Sequence, residues 1–168
     1  MTDFQPQFEA FMKQLQLNAA SLPFSFSEYP IDHACYRVAT PEDYQNTLAA
    51  FEALSSVVVS APHHERNFHI LLLKNPLTHN DLSVSCIELS EPGGSDSYRT
   101  GFQHIEFHAT KDLQQLVAGN TDLAPYFFIG KFGDEHYLKW PDKLALKFTA
   151  TPVLIKSLSK EDAKIVQR

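Results

Sequence analysis

Several things are scarce in this chain. No stretch approaches the about 20 consecutive apolar residues that a bilayer-spanning helix needs, so a helical membrane protein is not expected. The segment from Met1 to Leu17 mixes Asp3, Glu9 and Lys13 with its apolar residues. It therefore lacks the basic and apolar regions of a signal peptide, and a soluble, cytoplasmic protein is expected. Cysteine is limited to Cys35 and Cys86, far apart and without C-x-x-C spacing, which gives no disulfide framework and suits a reducing compartment. No cluster of Lys and Arg stands out, and the net charge is −6, an unpromising balance for neutralising nucleic-acid phosphates. Low-complexity tracts and long Gly/Ser linkers are missing too.

What the chain does have is 13 phenylalanines among 168 residues, enough length and apolar bulk for one domain with a filled core. Phe4, Phe8, Phe11 and Leu15 recur at helical spacing, which predicts an amphipathic helix over residues 3–19. A linker with Pro23 and Pro30 follows. Strands are expected at 31–38, 57–59, 68–74 and 82–89, with a loop at 76–80. Thr40-Pro41-Glu42-Asp43 starts a helix that runs to about Leu54: a cap residue, proline at the first helical position and acids in the first turn. The second half repeats the order: a strand at 102–108, a short helix at 111–118, and strands at 126–131, 137–140 and 144–149, with turns at Gly133-Asp134 and Pro141-Asp142. A last helix is expected from Pro152 to Gln167, with Ser159, Glu161 and Asp162 allowing a break.

The repetition extends to residues. His33 is followed by Ala39-Thr40 and Asp43, and His104 by Ala109-Thr110 and Asp112; Glu88 precedes Pro92 as Lys147 precedes Pro152. The reading is α+β: one domain over residues 1–168, with an N-terminal helix and linker (1–30), a first βαβββ module (31–92), a second (100–151) and a C-terminal helix (152–168). Alternation along the strands gives each an apolar face for the helices and a face rich in ionisable groups. The latter holds His33, Cys35 and Arg37; Val84, Cys86 and Glu88; His104, Glu106 and His108; and Lys147. Antiparallel sheets often show such faces to water. Here histidines and isolated acids mix with Cys and Val, as in a cavity lining. If a mixed sheet curls with these faces inward, His33, Glu88, His104 and Lys147 converge from equivalent positions. Two imidazoles and a carboxylate can hold a divalent metal and leave coordination positions open.

Gly101-Phe102-Gln103-His104-Ile105-Glu106-Phe107 resembles the opening strand of a second module in the vicinal-oxygen-chelate superfamily, the glyoxalase/bleomycin-resistance/dioxygenase fold. Ile31-Asp32-His33 resembles the first module's opening strand, and Cys86-Ile87-Glu88-Leu89 the strand that supplies a metal carboxylate. More narrowly, Asp32-His33, Ile87-Glu88-Leu89-Ser90-Glu91-Pro92 and His104-Ile105-Glu106 resemble the YecM-type family, as do the N-terminal helix and the Lys147-Phe148 ending. The resemblance implies paired modules around a metal cavity. Glyoxalase-type members carry a second carboxylate where Lys147 stands, and a charged lysine cannot be that base. The expected ligands are thus His33, His104 and Glu88, with a divalent ion (Zn, Ni, Mn or Fe) as cofactor.

Around these ligands, Glu106 is a candidate general base or partner of His104. Lys147 is a candidate catalytic group, if desolvation lowers its pKa, a charge partner of Glu106 or Glu88, or a residue that holds an anionic substrate. Arg37 could bind a substrate carboxylate bidentately or sit in a structural ion pair. His69 is a candidate substrate contact or a core or rim histidine. Cys35 and Cys86 could line the cavity, His108 reads as rim or surface, His63-His64-Glu65 as a loop, and Tyr98-Arg99 as a linker or lid. The expected function is a metal-dependent isomerase, lyase or oxygenase acting on a small oxygenated substrate. The alternatives are a non-catalytic small-molecule-binding protein of the same fold and a metal-free structural domain. Two modules in one chain allow a monomer; a homodimer is equally open.

Overall fold

The structure is a computed structural model, and it describes residues 3–63, 66–93, 99–109, 113–129 and 136–168. Helix α1, Gln5–Asn18, places Phe8, Phe11, Met12 and Leu15 on one buried stripe, the spacing that makes a helix amphipathic. Helix α2, Pro41–Leu54, begins where Thr40 Oγ1 accepts from the Asp43 backbone amide at 3.0 Å, with Pro41 in the first turn. Both helices pack on the sheet, joined by an aromatic cluster in which Phe4 stacks on Phe51 and meets Tyr36, while Phe8 meets Phe102 edge-on.

The strands of the first module are β1 (Ile31–Arg37), β2 (Ser55–His63), β3 (Arg66–His79) and β4 (Leu82–Ser90). Those of the second are β5 (Gly101–His108), β6 (Phe127–Ile129), β7 (His136–Lys139) and β8 (Ala145–Thr149), with helix α3 at Leu113–Val117. Helix α4 (Val153–Leu158) and β9 (Lys164–Gln167) end the chain. These strands join one sheet of nine in the order β6-β7-β8-β5-β1-β4-β3-β2-β9. This is the expected α+β fold: two βαβββ modules making a curled, mixed sheet around a cavity.

The repeat holds at the level of register. β1 runs parallel to β4 with Cys35 opposite Glu88, and β5 runs parallel to β8 with Glu106 opposite Lys147. The modules meet through antiparallel β1 and β5, where His33 faces Glu106 and Cys35 faces His104. His33 thus corresponds to His104, Cys35 to Glu106 and Glu88 to Lys147. One sheet face carries the main core against α1 and α2 (Ala34, Tyr36, Leu71, Ile87, Ile105, Phe107). The other carries a small apolar cluster of Val59, Ile70, Cys86 and Val153 beneath α4.

Four expectations need correction. The C-terminal helix stops near Ser159, and residues 164–167 pair with β2 as strand β9, Val58 opposite Val166 and Val59 opposite Ile165. The unpaired edge of β2 satisfies the backbone of a segment whose β-branched residues fit a strand better than a helix. The loop expected at 76–80 is largely strand: β3 continues through Pro76, and the β3–β4 register slips between Leu72 and Leu77. Proline is tolerated at such an irregularity because it has no amide to offer the ladder, and the chain turns only at Asn80, with φ 52°. Val84 packs in the main core rather than beside Cys86 and Glu88, because the irregular β3 curls the far end of the hairpin. His63 closes β2 instead of lying in a loop; His64 and Glu65 lie outside the described residues, as do the Gly133-Asp134 turn, Tyr98, Thr110, Lys111 and Asp112.

Candidate metal centre

His33 and His104 stand on the adjacent central strands β1 and β5, and both are buried, 1% and 4% exposed. Their rings meet edge-on with centroids 5.6 Å apart. Glu88 joins them from β4, and the three side chains offer ligand atoms all within 4.8 Å of one another. Nε2 of His33 lies 3.9 Å from Glu88 Oε2 and 3.8 Å from Glu106 Oε2. Ligands held about 2.1 Å from one tetrahedral ion stand about 3.4 Å apart, so a small closure brings this set onto a shared ion. Nε2 of His33 and Nε2 of His104 are buried without a hydrogen-bond partner among the described residues. Buried polar atoms are nearly always satisfied, and two such imidazole nitrogens beside one carboxylate are a donor set that suits a divalent cation. Buried His and Glu groups here could therefore bind a divalent metal.

The alternative set, Asp32, His33 and Glu106, fits less well, because Asp32 is already engaged. Its Oδ2 lies 2.7 Å from His33 Nδ1 and accepts from the Val153 backbone amide at 3.0 Å. An Nδ1–H donated to Asp32 leaves the Nε2 lone pair facing the carboxylates, the usual support for a metal-bound histidine. Asp32 can reach its own neighbour because the β1–β5 register is broken between Ile31 and His33. Period-two alternation does not show such a break, so the linear chain assigns Asp32 no role of its own.

The surrounding carboxylates favour a proton on His33, and a bound cation would take that proton's place. Burial alone would lower the His33 pKa, but the Asp32 hydrogen bond and the carboxylates of Glu106 and Glu88 raise it overall. Burial, then the cations Lys147, His33 and Arg37, hold His104 well below the ordinary histidine value, so its ring is neutral. Burial would raise Glu88, but His33, Arg37 and Lys147 pull it down, so it is ionised. Burial pushes the Cys35 and Cys86 thiols up, and neither belongs to the converging groups among the described residues.

His33 and Glu88 line a cavity of about 450 Å³, together with Arg37, Glu106, Lys147 and residues of α4; His104 lies behind them. Glu106 lies between His33 and Lys156, whose Nζ is 3.7 Å from Oε1. Arg37 hydrogen-bonds Ser90 Oγ and donates Nε to Gln103 Oε1 at 3.2 Å; its guanidinium lies 3.8 Å from Glu88 and over the Phe68 ring. It braces the Glu88 carboxylate. Lys147 lies over Tyr137, 5.6 Å from the ring centroid, at the position equivalent to Glu88. His69 does not join the site. Phe68 and Ile70 face the cavity, so alternation turns His69 to the opposite face, where its Nδ1 bonds the Tyr44 hydroxyl at 2.6 Å. A further cavity of about 430 Å³, lined by Phe4, Phe51, Leu54, Leu73 and Leu77, holds none of the ligands.

Sequence reasoning misses the strap residues Lys156, Ser157 and Lys160, which line the cavity. A short terminal helix carries no periodic signal of what it covers; only the lysines at 156, 160 and 164 hint at a directed face.

Fold and site thus define a mixed α+β protein of paired βαβββ modules with a buried group able to hold a metal. The family model "YecM protein" matches residues 1–149, and the chain belongs to the YecM family. Among solved structures it resembles a structural-genomics protein, "Protein EC4020", with TM-score 0.72 and 20% identity over 96% of this chain and 98% of that one. A second likeness has TM-score 0.49 and 14% identity over 98% of this chain and 28% of the other, a "xylose isomerase-like TIM barrel/4-hydroxyphenylpyruvate dioxygenase fusion protein". No curated protein sequence matches.

Proposed function

We propose that the protein is a metal-dependent enzyme of the vicinal-oxygen-chelate type, acting on a small oxygenated molecule as an isomerase, lyase or oxygenase. His33, His104 and Glu88 would hold one divalent ion, of the Zn, Ni, Mn or Fe group. The observation that carries this reading is the convergence of buried His33, His104 and Glu88, both histidines with an unpartnered Nε2 among the described residues and His33 and Glu88 at the wall of a cavity. A bound ion there would supply Lewis acidity to a substrate oxygen. Asp32 fixes the His33 tautomer, and Arg37 fixes Glu88. Glu106, whose Oε1 is 3.7 Å from Lys156, is the carboxylate placed to take a proton from the substrate. Lys147 occupies the position where glyoxalase-type members keep a carboxylate, which argues against the glyoxalase I reaction. Both modules lie in one chain, so the site needs no second subunit.

The test is metal content after purification without a His-tag. Wild type is expected to retain about one equivalent of a divalent ion, and the His33→Ala/His104→Ala variant close to none. Equally low Mn, Fe, Ni and Zn in both proteins overturns the reading.

A further inference from the structure

The cavity wall is unusual in charge for this protein. Four of its thirteen lining residues are cations, Arg37, Lys147, Lys156 and Lys160, against the carboxylates of Glu88 and Glu106. Across the chain only 14 of 168 residues are Lys or Arg, and the net charge is −6. A concave, low-dielectric site focuses the field of such groups and concentrates ligands of the opposite sign. Arg37 is committed to Ser90, Gln103 and Glu88. Lys147 on β8 and the two lysines of the strap add three further positive side chains to the same wall, with Lys156 Nζ 3.7 Å from Glu106.

The strap's course is well defined. Val153 is tied by its amide to Asp32, and Lys156 Nζ donates to Thr149 Oγ1 at 2.7 Å. Ser159 Oγ closes the helix on the Lys156 carbonyl, β9 adds to the edge of β2, and Arg168 pairs with Glu52 at 2.8 Å. Anchored at both ends, the strap carries Lys156, Ser157 and Lys160 along the cavity. The wall from β2 and β3 is apolar: Ala61, Phe68 and Ile70.

We propose that the ligand of this cavity is a small molecule carrying an oxyanion group, a carboxylate or a phosphate, gripped by Lys156 and Lys160 of the C-terminal strap together with Lys147. The short carbon skeleton would lie on Ala61, Phe68 and Ile70, with a second oxygen toward His33, His104 and Glu88. Only this last part rests on the metal reading; the lysines attract an anion with or without an ion in place.

The experiment is calorimetric titration of the full chain with malonate, inorganic phosphate and the neutral isostere malonamide, before and after chelator treatment. At least one anion is expected to bind, more weakly at high salt, and malonamide is expected not to. Whichever anion binds names the head group. Lys160→Gln, at an exposed position, and Lys156→Gln/Lys160→Gln are expected to weaken that anion about tenfold or more, with metal content and thermal unfolding unchanged for Lys160→Gln. Loss on Lys→Gln substitution in chelator-treated protein supports the strap's role even if no metal is ever retained. Binding of malonamide equal to malonate, binding of neither anion, or unchanged affinity in both variants overturns the proposal, whatever the metal content.

Discussion

Asp32 accepts two hydrogen bonds on one oxygen, from the His33 ring and from the first amide of α4. It therefore both orients a ligand and seats the strap. Asp32→Asn keeps the shape but removes the charge that stabilises the Nδ1–H tautomer. The expected result is a 10- to 100-fold loss of metal affinity, read by competition with a chromophoric chelator, with the fold retained by circular dichroism. His69 behaves in the opposite manner to His33. Burial lowers its pKa, with Glu52 and Glu91 only partly opposing, and it bonds Tyr44, whose hydroxyl burial holds protonated. As pH falls through the ordinary histidine value of about 6.5, the unfolded chain takes up a proton that the native ring resists. Stability contributed by this residue is present above that pH and is lost below it. Urea unfolding at pH 7.5 and 5.5 is expected to show a smaller acid loss for His69→Gln than for wild type.

At the scale of elements, α1 is what fills the convex side of the sheet. Phe8 is fully buried and contacts the rings of Phe11 and Phe102. Phe8→Ala leaves a cavity between helix and sheet and is expected to cost about 3–5 kcal/mol in urea unfolding. Bound metal per folded chain is expected to be unchanged, because the ligands stand on the other face. Strand β3 shapes the sheet instead, since its irregularity between Leu72 and Leu77 bends the β3–β4 hairpin. The stretch before it, Phe68 to Leu72, stays regular and puts Phe68 and Ile70 on the cavity side. The anchored strap α4–β9 then converts an open concave face into a pocket with a lid of its own sequence.

For the whole molecule, the governing feature is a pseudo-two-fold relation between modules that is kept in backbone register and broken in chemistry. His33 and His104 obey it. Cys35 and Glu106 do not, and neither do Glu88 and Lys147. The carboxylate absent at Lys147 is matched by an acid at Glu106, one strand away, which keeps an acid beside the ligands while the fourth symmetric position carries positive charge. Lys147→Glu restores the symmetric carboxylate and removes a cation that presses on His104 and Glu88. Tighter metal binding, by about tenfold or more, is expected in the same competition assay; weaker binding would place residue 147 outside the ion's reach.

The paired modules, the cap at Thr40 and the pairing of His33 with His104 were legible in the linear chain, because they depend on local propensity, period-two alternation and a repeat that survives divergence. So was the apolar stripe of α1. The break at Asp32, the passage of β3 through Pro76 and the pairing of residues 164–167 with β2 were not. Each is decided by which backbone partner is free when the sheet assembles, and that is a long-range fact. The direction of His69 follows from the same cause: alternation says that it lies opposite Ile70, but only the packed sheet says which of the two faces the cavity. Sequence alone determined that His33 and His104 occupy equivalent strand positions, as do Glu88 and Lys147. The tertiary structure decided that His33, His104 and Glu88 are buried together, that Asp32 stands behind His33, and that a C-terminal strap lines the same cavity as His33 and Glu88, because burial and convergence are properties of the folded sheet.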